Sequence, residues 1–334
     1  MHDWVLDTWY GASTRGRWLA PLSWLFGAAA GLRRQAYARG WLPRYRASRP
    51  VVVVGNLTVG GTGKTPFTAW LARQLGARGF CVGVALRGYR GAASEARRLG
   101  PGESSASAGD EAVLLARRGL PVAVAARRAD AVRLLEPDCE LILCDDGLQH
   151  YALARDFEIA VVDGGRGLGN GRLLPAGPLR EPAARLDEVD AVVVNGAGYA
   201  RNEALGMDLE PVAVVSLDGR ERRGLGDFAG REVIAAAAIG NPGRFFAMLR
   251  GQGLQPEEFA FPDHAAITPS MLPERRGRPV LMTEKDAVKC GADGWQDAWY
   301  VEVRARVQEP GATRLVQRIA EFAAARPQGN AARD

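Results

Sequence analysis

Cysteine and histidine are scarce in this chain, with four and three respectively among 334 residues. The cysteines, Cys81, Cys139, Cys144 and Cys290, form no CxxC pair and keep no regular spacing. That pattern argues against a disulfide framework or a zinc site and fits reduced thiols in a cytosolic setting. Charge of one sign is also in short supply, with 43 basic against 38 acidic side chains. The excess of +5 sits in residues 1–50, where eight arginines face only Asp3 and Asp7, so the rest is close to neutral. A basic face spread over the fold, as nucleic-acid binding requires, is not indicated. Nor does the N-terminal region contain a spanning hydrophobic run. Its longest uncharged stretch, Trp18–Leu32, is fifteen residues and includes Pro21, whereas a spanning helix needs about 20. Two acids precede the basic residues and no cleavage pattern follows Ala28–Ala30, which is unlike a signal peptide.

Tryptophan is concentrated where the arginines are. Trp4, Trp9, Trp18, Trp24 and Trp41 are five of the eight in the chain. Indoles and leucines interleaved with arginines suit an amphipathic helix lying among lipid headgroups, with the arginine stems reaching phosphates. Residues 1–48 are therefore expected to be a membrane-interfacial helical segment. The competing reading is a helix packed on the protein's own core with its arginines solvated.

Four consecutive valines, Val51–Val54, have the pattern of a buried parallel strand. Gly55-Asn56-Leu57-Thr58-Val59-Gly60-Gly61-Thr62-Gly63-Lys64-Thr65-Pro66 follows, and then a helix-compatible stretch, Phe67–Leu75. Strand, glycine-rich turn, Lys-Thr and helix is the context of a phosphate-binding loop. Residues Thr58, Val59, Gly60, Gly61, Thr62, Gly63, Lys64 and Thr65 are expected to hold ATP. Backbone N–H groups would cradle the phosphates at a helix N-terminus. Lys64 would reach the β- and γ-phosphates, and the Thr65 hydroxyl would ligate Mg²⁺. The loop departs from the strict pattern at Thr58, where the first glycine is expected. Its GGTGKT core resembles the MinD and ParA ATPases, but Val59 stands where they carry a signature lysine.

Leu141–Cys144 is a second apolar strand and ends in Asp145-Asp146. A strand-terminal carboxylate beside Mg²⁺ is the second nucleotide motif, and the spacing leaves open which of the two acids approaches the metal. Further strands are expected at 81–86, 121–125, 158–163, 190–194 and 212–217, with helices at Glu111–Arg118 and Arg127–Leu135 between them. The alternation predicts an α/β fold, a P-loop NTPase-type doubly wound, mainly parallel sheet.

The most distinctive stretches are AGDEAVLL (108–115), DDGLQHYALARD (145–156), GNGRLLPAGPLRE (169–181), PDH (262–264) and MTEKDAVKC (282–290). Together with the phosphate loop and RGY (87–89), they resemble the tetraacyldisaccharide 4′-kinase family, the lipid A 4′-kinases of Gram-negative bacteria. The resemblance runs from residue 51 to 290. Leu86 and Asn241 depart from the residues common in the family, at positions without a chemical role.

The resemblance implies transfer of the ATP γ-phosphoryl to the 4′-hydroxyl of a tetraacylated glucosamine disaccharide 1-phosphate, giving lipid IVA. It also implies a smaller C-terminal α/β domain beside the P-loop core and action at the cytoplasmic face of the inner membrane. The partners implied are the lipid A disaccharide precursor and an anionic membrane surface, with neither nucleic acid nor an obligate protein partner. Asp110 matches the family's general base and His264 the histidine that pairs with it. From the residues alone, Asp110 could simply cap the helix that follows, and His264 could be a loop residue. Glu181 is a candidate for Mg²⁺ or its waters and Arg180 for a phosphate, a salt bridge being the alternative for both. Gln149, His150 and Glu111 are expected to shape the site, and Lys285 and Asp286 either face the cleft or form a turn.

Asp218–Gly230 is charged and glycine-rich and reads as a connection between domains. The expected division is 1–48, a kinase core at 49–220, a C-terminal domain at 221–325 and a frayed tail at 326–334. Strands are expected over Glu232–Ile239 and Pro279–Thr283, with a helix at Phe245–Gly251. The rival function is a MinD/ParA-like membrane-associated switch ATPase, which leaves GDE, PDH and LPAGPLRE without a purpose.

Overall fold

The computed structural model of the protein describes residues 3–11, 15–88, 95–100, 102–273, 277–291 and 294–326. Tyr89 of the RGY stretch and residues 327–334 of the expected tail therefore lie outside the described residues. The strands are β1 (Val51–Gly55), β2 (Val82–Arg87), β3 (Arg97–Arg98), β4 (Val122–Ala125), β5 (Leu141–Asp145), β6 (Phe157–Asp163) and β7 (Ala191–Asn195). They continue as β8 (Leu205–Ser216), β9 (Arg222–Arg223), β10 (Ile234–Ala237), β11 (Glu257–Ala260), β12 (Val280–Thr283) and β13 (Ala298–Val307). The helices are α1 (Asp3–Tyr10), α2 (Ala20–Ala38), α3 (Lys64–Gly76), α4 (Ser105–Ala108) and α5 (Asp110–Arg117). After these come α6 (Arg128–Leu135), α7 (Pro242–Gly251), α8 (Glu284–Ala287) and α9 (Gly311–Ala325).

All thirteen strands belong to one sheet, in the order β11-β10-β12-β13-β8-β7-β6-β1-β5-β2-β4-β3, with β9 beside β8. The valines of β1 sit at its centre, fully buried between β5 and β6. Apolar strands covered on both faces are what an uninterrupted valine run dictates. Neighbours from β8 to β4 run parallel, as do those from β11 to β13. The two sets meet where β13 pairs antiparallel with β8. Sheet twist accumulates by roughly 20–25° per strand pair, and it turns the carboxyl ends of both sets toward one place. Gly240, just after β10, lies so close to the phosphate loop that a Cβ on it would be 2.7 Å from the Gly61 nitrogen.

The expected strands and helices appear, joined by others that the sequence pattern does not indicate, among them β11, β13 and α9, and three stretches differ in detail. The strand expected at 212–217 is the second half of the twelve-residue β8. Asp218–Gly230 is not a bare connector, because Leu225 and Phe228 enter a buried cluster with Trp299 and Leu249. Arg326, first residue of the expected tail, donates to the Ala47 carbonyl at 2.9 Å and pairs with Asp156 at 2.5 Å.

Candidate active site

The loop after β1 owes its shape to two glycines in left-handed conformations, Gly60 (φ 112°) and Gly63 (φ 90°). Gly63 precedes α3 directly, and a Cβ there would overlap the Asn195 side-chain amide. That amide donates to the Thr62 carbonyl at 2.9 Å. Inside the loop, the Asn56 amide donates to the Thr58 carbonyl at 2.7 Å, while its oxygen accepts from Lys64 Nζ at 3.2 Å. The segment before Glu181 lies alongside: Val59 N–H donates to the Pro178 carbonyl and Arg180 N–H to that of Leu57. Loop, lysine and GPLRE segment thus form one hydrogen-bonded unit.

Thr65 Oγ1 donates to Asp145 Oδ2 at 2.8 Å, while Asp145 Oδ1 is buried with no hydrogen-bond partner in the protein. Burial pushes the Asp145 carboxyl up to about 6, against the opposing pull of Lys64 and the Thr65 hydroxyl. Arg128 fixes the backbone beneath it by donating to the Asp145 carbonyl at 2.7 Å. Asp146 has φ 53° and faces two cations, Lys64 at 3.5 Å and Arg180 at 3.3 Å. Burial acts upward on its carboxyl, but Lys64 and Arg180 outweigh it and hold the group well below the usual carboxylate range. Glu181 is buried, accepting from Gln149 Nε2 at 2.9 Å and from the Tyr151 hydroxyl. Gln149 also donates to the Asn56 carbonyl at 3.1 Å, which ties Glu181 to the phosphate loop. His150 is pushed down to about 4 by burial and by the nearby Arg128 and Arg155, so its ring is neutral at pH 7. Among the described residues, no three His, Cys, Asp or Glu side chains cluster as a self-sufficient metal site. Mg²⁺ bound through one or two carboxylates, waters and phosphate oxygens needs no such cluster, and the unpartnered Asp145 oxygen beside Thr65 fits that mode.

Asp110 is the first residue of α5 and is buried. Its Oδ2 lies 3.2 Å from His264 Nδ1, a contact spanning 154 residues of chain. His264 has φ 66°, and its N–H donates to the Ala238 carbonyl at 3.2 Å. Asp263 approaches Gly240, the residue that abuts Gly61, so the pair stands beside the phosphate loop. Glu111 pairs with Lys285 at 2.6 Å. Burial pushes the Glu111 carboxyl up, yet the lysine prevails and keeps it low.

The N-terminal region touches the same unit. Trp9 Nε1 donates to the Pro175 carbonyl at 3.0 Å, and the Tyr10 hydroxyl approaches the Val59 carbonyl at 3.4 Å. On α2, Ser23 Oγ donates to the Leu173 carbonyl at 2.8 Å and marks the packed face. Away from that face, Trp24 is 74% and Leu25 68% exposed, with Trp18 just ahead at 90%. Among the described residues, no helix is long and apolar enough to cross a membrane.

Several residues that build the site carried no warning in the sequence. Asn56, Arg128 and Asn195 act through bonds to backbone carbonyls, and Asn56 also through Lys64, which no spacing rule encodes. Asp163 at the end of β6 accepts from Asn241 at 3.1 Å and binds Arg244, joining the two strand sets.

Residues 15–321 match the family model described as Tetraacyldisaccharide-1-P 4′-kinase. Proteins named tetraacyldisaccharide 4′-kinase are similar over most of their length. That of Chromobacterium violaceum is 53% identical over 281 residues, covering 81% of this chain and 83% of the relative. That of Aeromonas hydrophila is 50% identical over 306 residues, covering 90% and 91%. The crystal structure of "apo" form LpxK from Aquifex aeolicus in complex with ATP superposes with a TM-score of 0.76 at 28% identity. It covers 91% of this chain and 99% of that one. On these grounds the chain belongs to the tetraacyldisaccharide-1-phosphate 4′-kinase family.

Proposed function

We propose that the protein transfers the γ-phosphoryl group of ATP to the 4′-hydroxyl of tetraacyldisaccharide 1-phosphate, forming lipid IVA at the cytoplasmic face of the inner membrane. The observation that carries the site assignment is the Asp110–His264 contact standing beside a complete phosphate loop.

The residues divide the work by their chemistry. N–H groups of residues 60–65 and the α3 N-terminus cradle the phosphates, with Lys64 supplying a cation. Thr65 Oγ1 and Asp145 would hold Mg²⁺, which when bound neutralises charge on the β- and γ-phosphate oxygens. Asp146 stays ionised and holds Lys64 and Arg180 toward the same point, so Arg180 is available to a phosphate. Glu181, through Gln149, steadies the loop from behind. Asp110 accepts the 4′-hydroxyl proton as that oxygen bonds to the γ-phosphorus and the bond to the β-bridging oxygen breaks, releasing ADP. His264 shares the proton across the 3.2 Å contact.

Asp110→Ala is expected to lower kcat by roughly 10²–10⁴-fold, the usual worth of a general base, with the KM for ATP nearly unchanged. A loss below about tenfold in a micellar assay would assign the base elsewhere.

A further inference from the structure

We infer that the segment from Thr283 to Lys289 is the scaffold that joins the two halves of the Asp110–His264 pair, with Lys285 and Asp286 as its positioning residues. The inference rests on reading that pair as the proton-accepting group. Asp110 belongs to the first strand set and His264 to the second, so something must fix their relative position to within hydrogen-bond reach. Positioning of this kind matters, because a displacement of about 1 Å can cost 10²-fold in rate.

The segment grips α5 at both ends. Lys285 Nζ donates to Glu111 Oε1 at 2.6 Å, one residue from Asp110. The preceding residue, Glu284, accepts from Arg118 Nη2 at 2.5 Å, just past the far end of the helix, and Arg118 also donates to the Val303 carbonyl. Two consecutive side chains therefore set the position and tilt of the helix that carries Asp110.

The same segment holds His264 from the other side. Asp286 is fully buried, and its Oδ2 accepts from the Ala238 N–H at 3.1 Å and from the Thr283 hydroxyl at 2.6 Å. Its Oδ1 pairs with Lys289 Nζ at 2.8 Å, and that ammonium also donates to the Ala238 carbonyl at 3.2 Å. The Ala238 carbonyl in turn accepts from the His264 N–H. Left-handed φ at a residue with a Cβ persists only where the surroundings over-determine it, and this is the position of His264 (φ 66°). A turn that merely closed on itself would need Thr283 and Asp286 alone. Lys285, Asp286 and Lys289 instead bond to residues that adjoin or hold the pair.

The test combines kinetics with histidine NMR on the full chain, which has only three histidines. Lys285→Met is expected to lower kcat about 10- to 100-fold with the KM for ATP within about twofold, and Lys285→Arg to recover most of kcat. The His264 ring signal should leave its wild-type position in Lys285→Met and move toward its place in Asp110→Ala. Glu111→Gln breaks the same pair from the α5 side and should move the signal in the same direction, which covers a misfolded lysine variant. A His264 signal unmoved in both variants overturns the scaffold, whatever happens to turnover. Full turnover in Asp110→Ala would instead remove the pair's role as base, while the His264 signal still decides whether the scaffold exists.

Discussion

Asp145 is stabilised less by the protein around it than by what it is placed to bind. Its carboxyl titrates at about 6 in a buried position with one oxygen unpartnered. A folded-state value above the ordinary 3.8 means that ionisation opposes folding. The penalty is absent below about pH 4, grows through about 6 and is complete above it, at about 3 kcal/mol or less. Asp145→Asn should therefore raise the melting temperature without nucleotide at pH 7.5 by a few degrees, while losing most of the stabilisation given by Mg·ATP. A drop in that melting temperature would contradict the reading. For the same reason, Mg²⁺ affinity should weaken as pH falls through 6. Lys64, Thr65 and the Asp145-Asp146 pair were legible in the sequence because strand, loop and helix fix their places, but the spacing did not separate Asp145 from Asp146. Asn56 and Asn195 were not, because an amide bonded to a loop carbonyl leaves no pattern.

Elements with a single repeated pattern were read almost to the residue, as with the valines of β1 and the run that became β5. The join between the strand sets was not. β13 alternates buried and exposed residues, with Glu302, Arg304 and Arg306 among its members, and such a mixture resembles a surface segment. The first half of β8 was hidden by Pro211, which has no N–H for the ladder. The structure accommodates it with a register shift between Glu302 and Val303, opposite Pro211 and Ala213. Beyond β10, close approach replaces pattern. A Cβ at Gly240 would press on backbone of the phosphate loop, which cannot swing away as a side chain could. Gly240→Ala should raise the KM for ATP by on the order of tenfold or more with the fold intact. An unchanged KM would show that the two loops move independently.

Across the whole molecule, the sheet runs unbroken from β11 to β3, and the proposed active-site residues sit where its two strand sets converge. The N-terminal region is bound to the same place through Trp9, Tyr10 and Ser23, so the apolar face of α2 has a fixed orientation relative to the phosphate loop. Replacing Trp18, Trp24 and Leu25 together with serine removes exposed apolar area without touching these bonds. Binding to anionic vesicles should fall at least tenfold, since each buried apolar side chain contributes roughly 1.5–3 kcal/mol. Unchanged co-sedimentation would refute the interfacial role. Delivery of a phosphoryl group from the loop after β1 to a glycolipid is tested most directly by γ-labelled ATP with tetraacyldisaccharide 1-phosphate in micelles. The predicted result is Mg²⁺-dependent label on the lipid, lowered at least 10²-fold by Lys64→Ala. Label released only as inorganic phosphate, or transfer at full rate by Lys64→Ala, would contradict it.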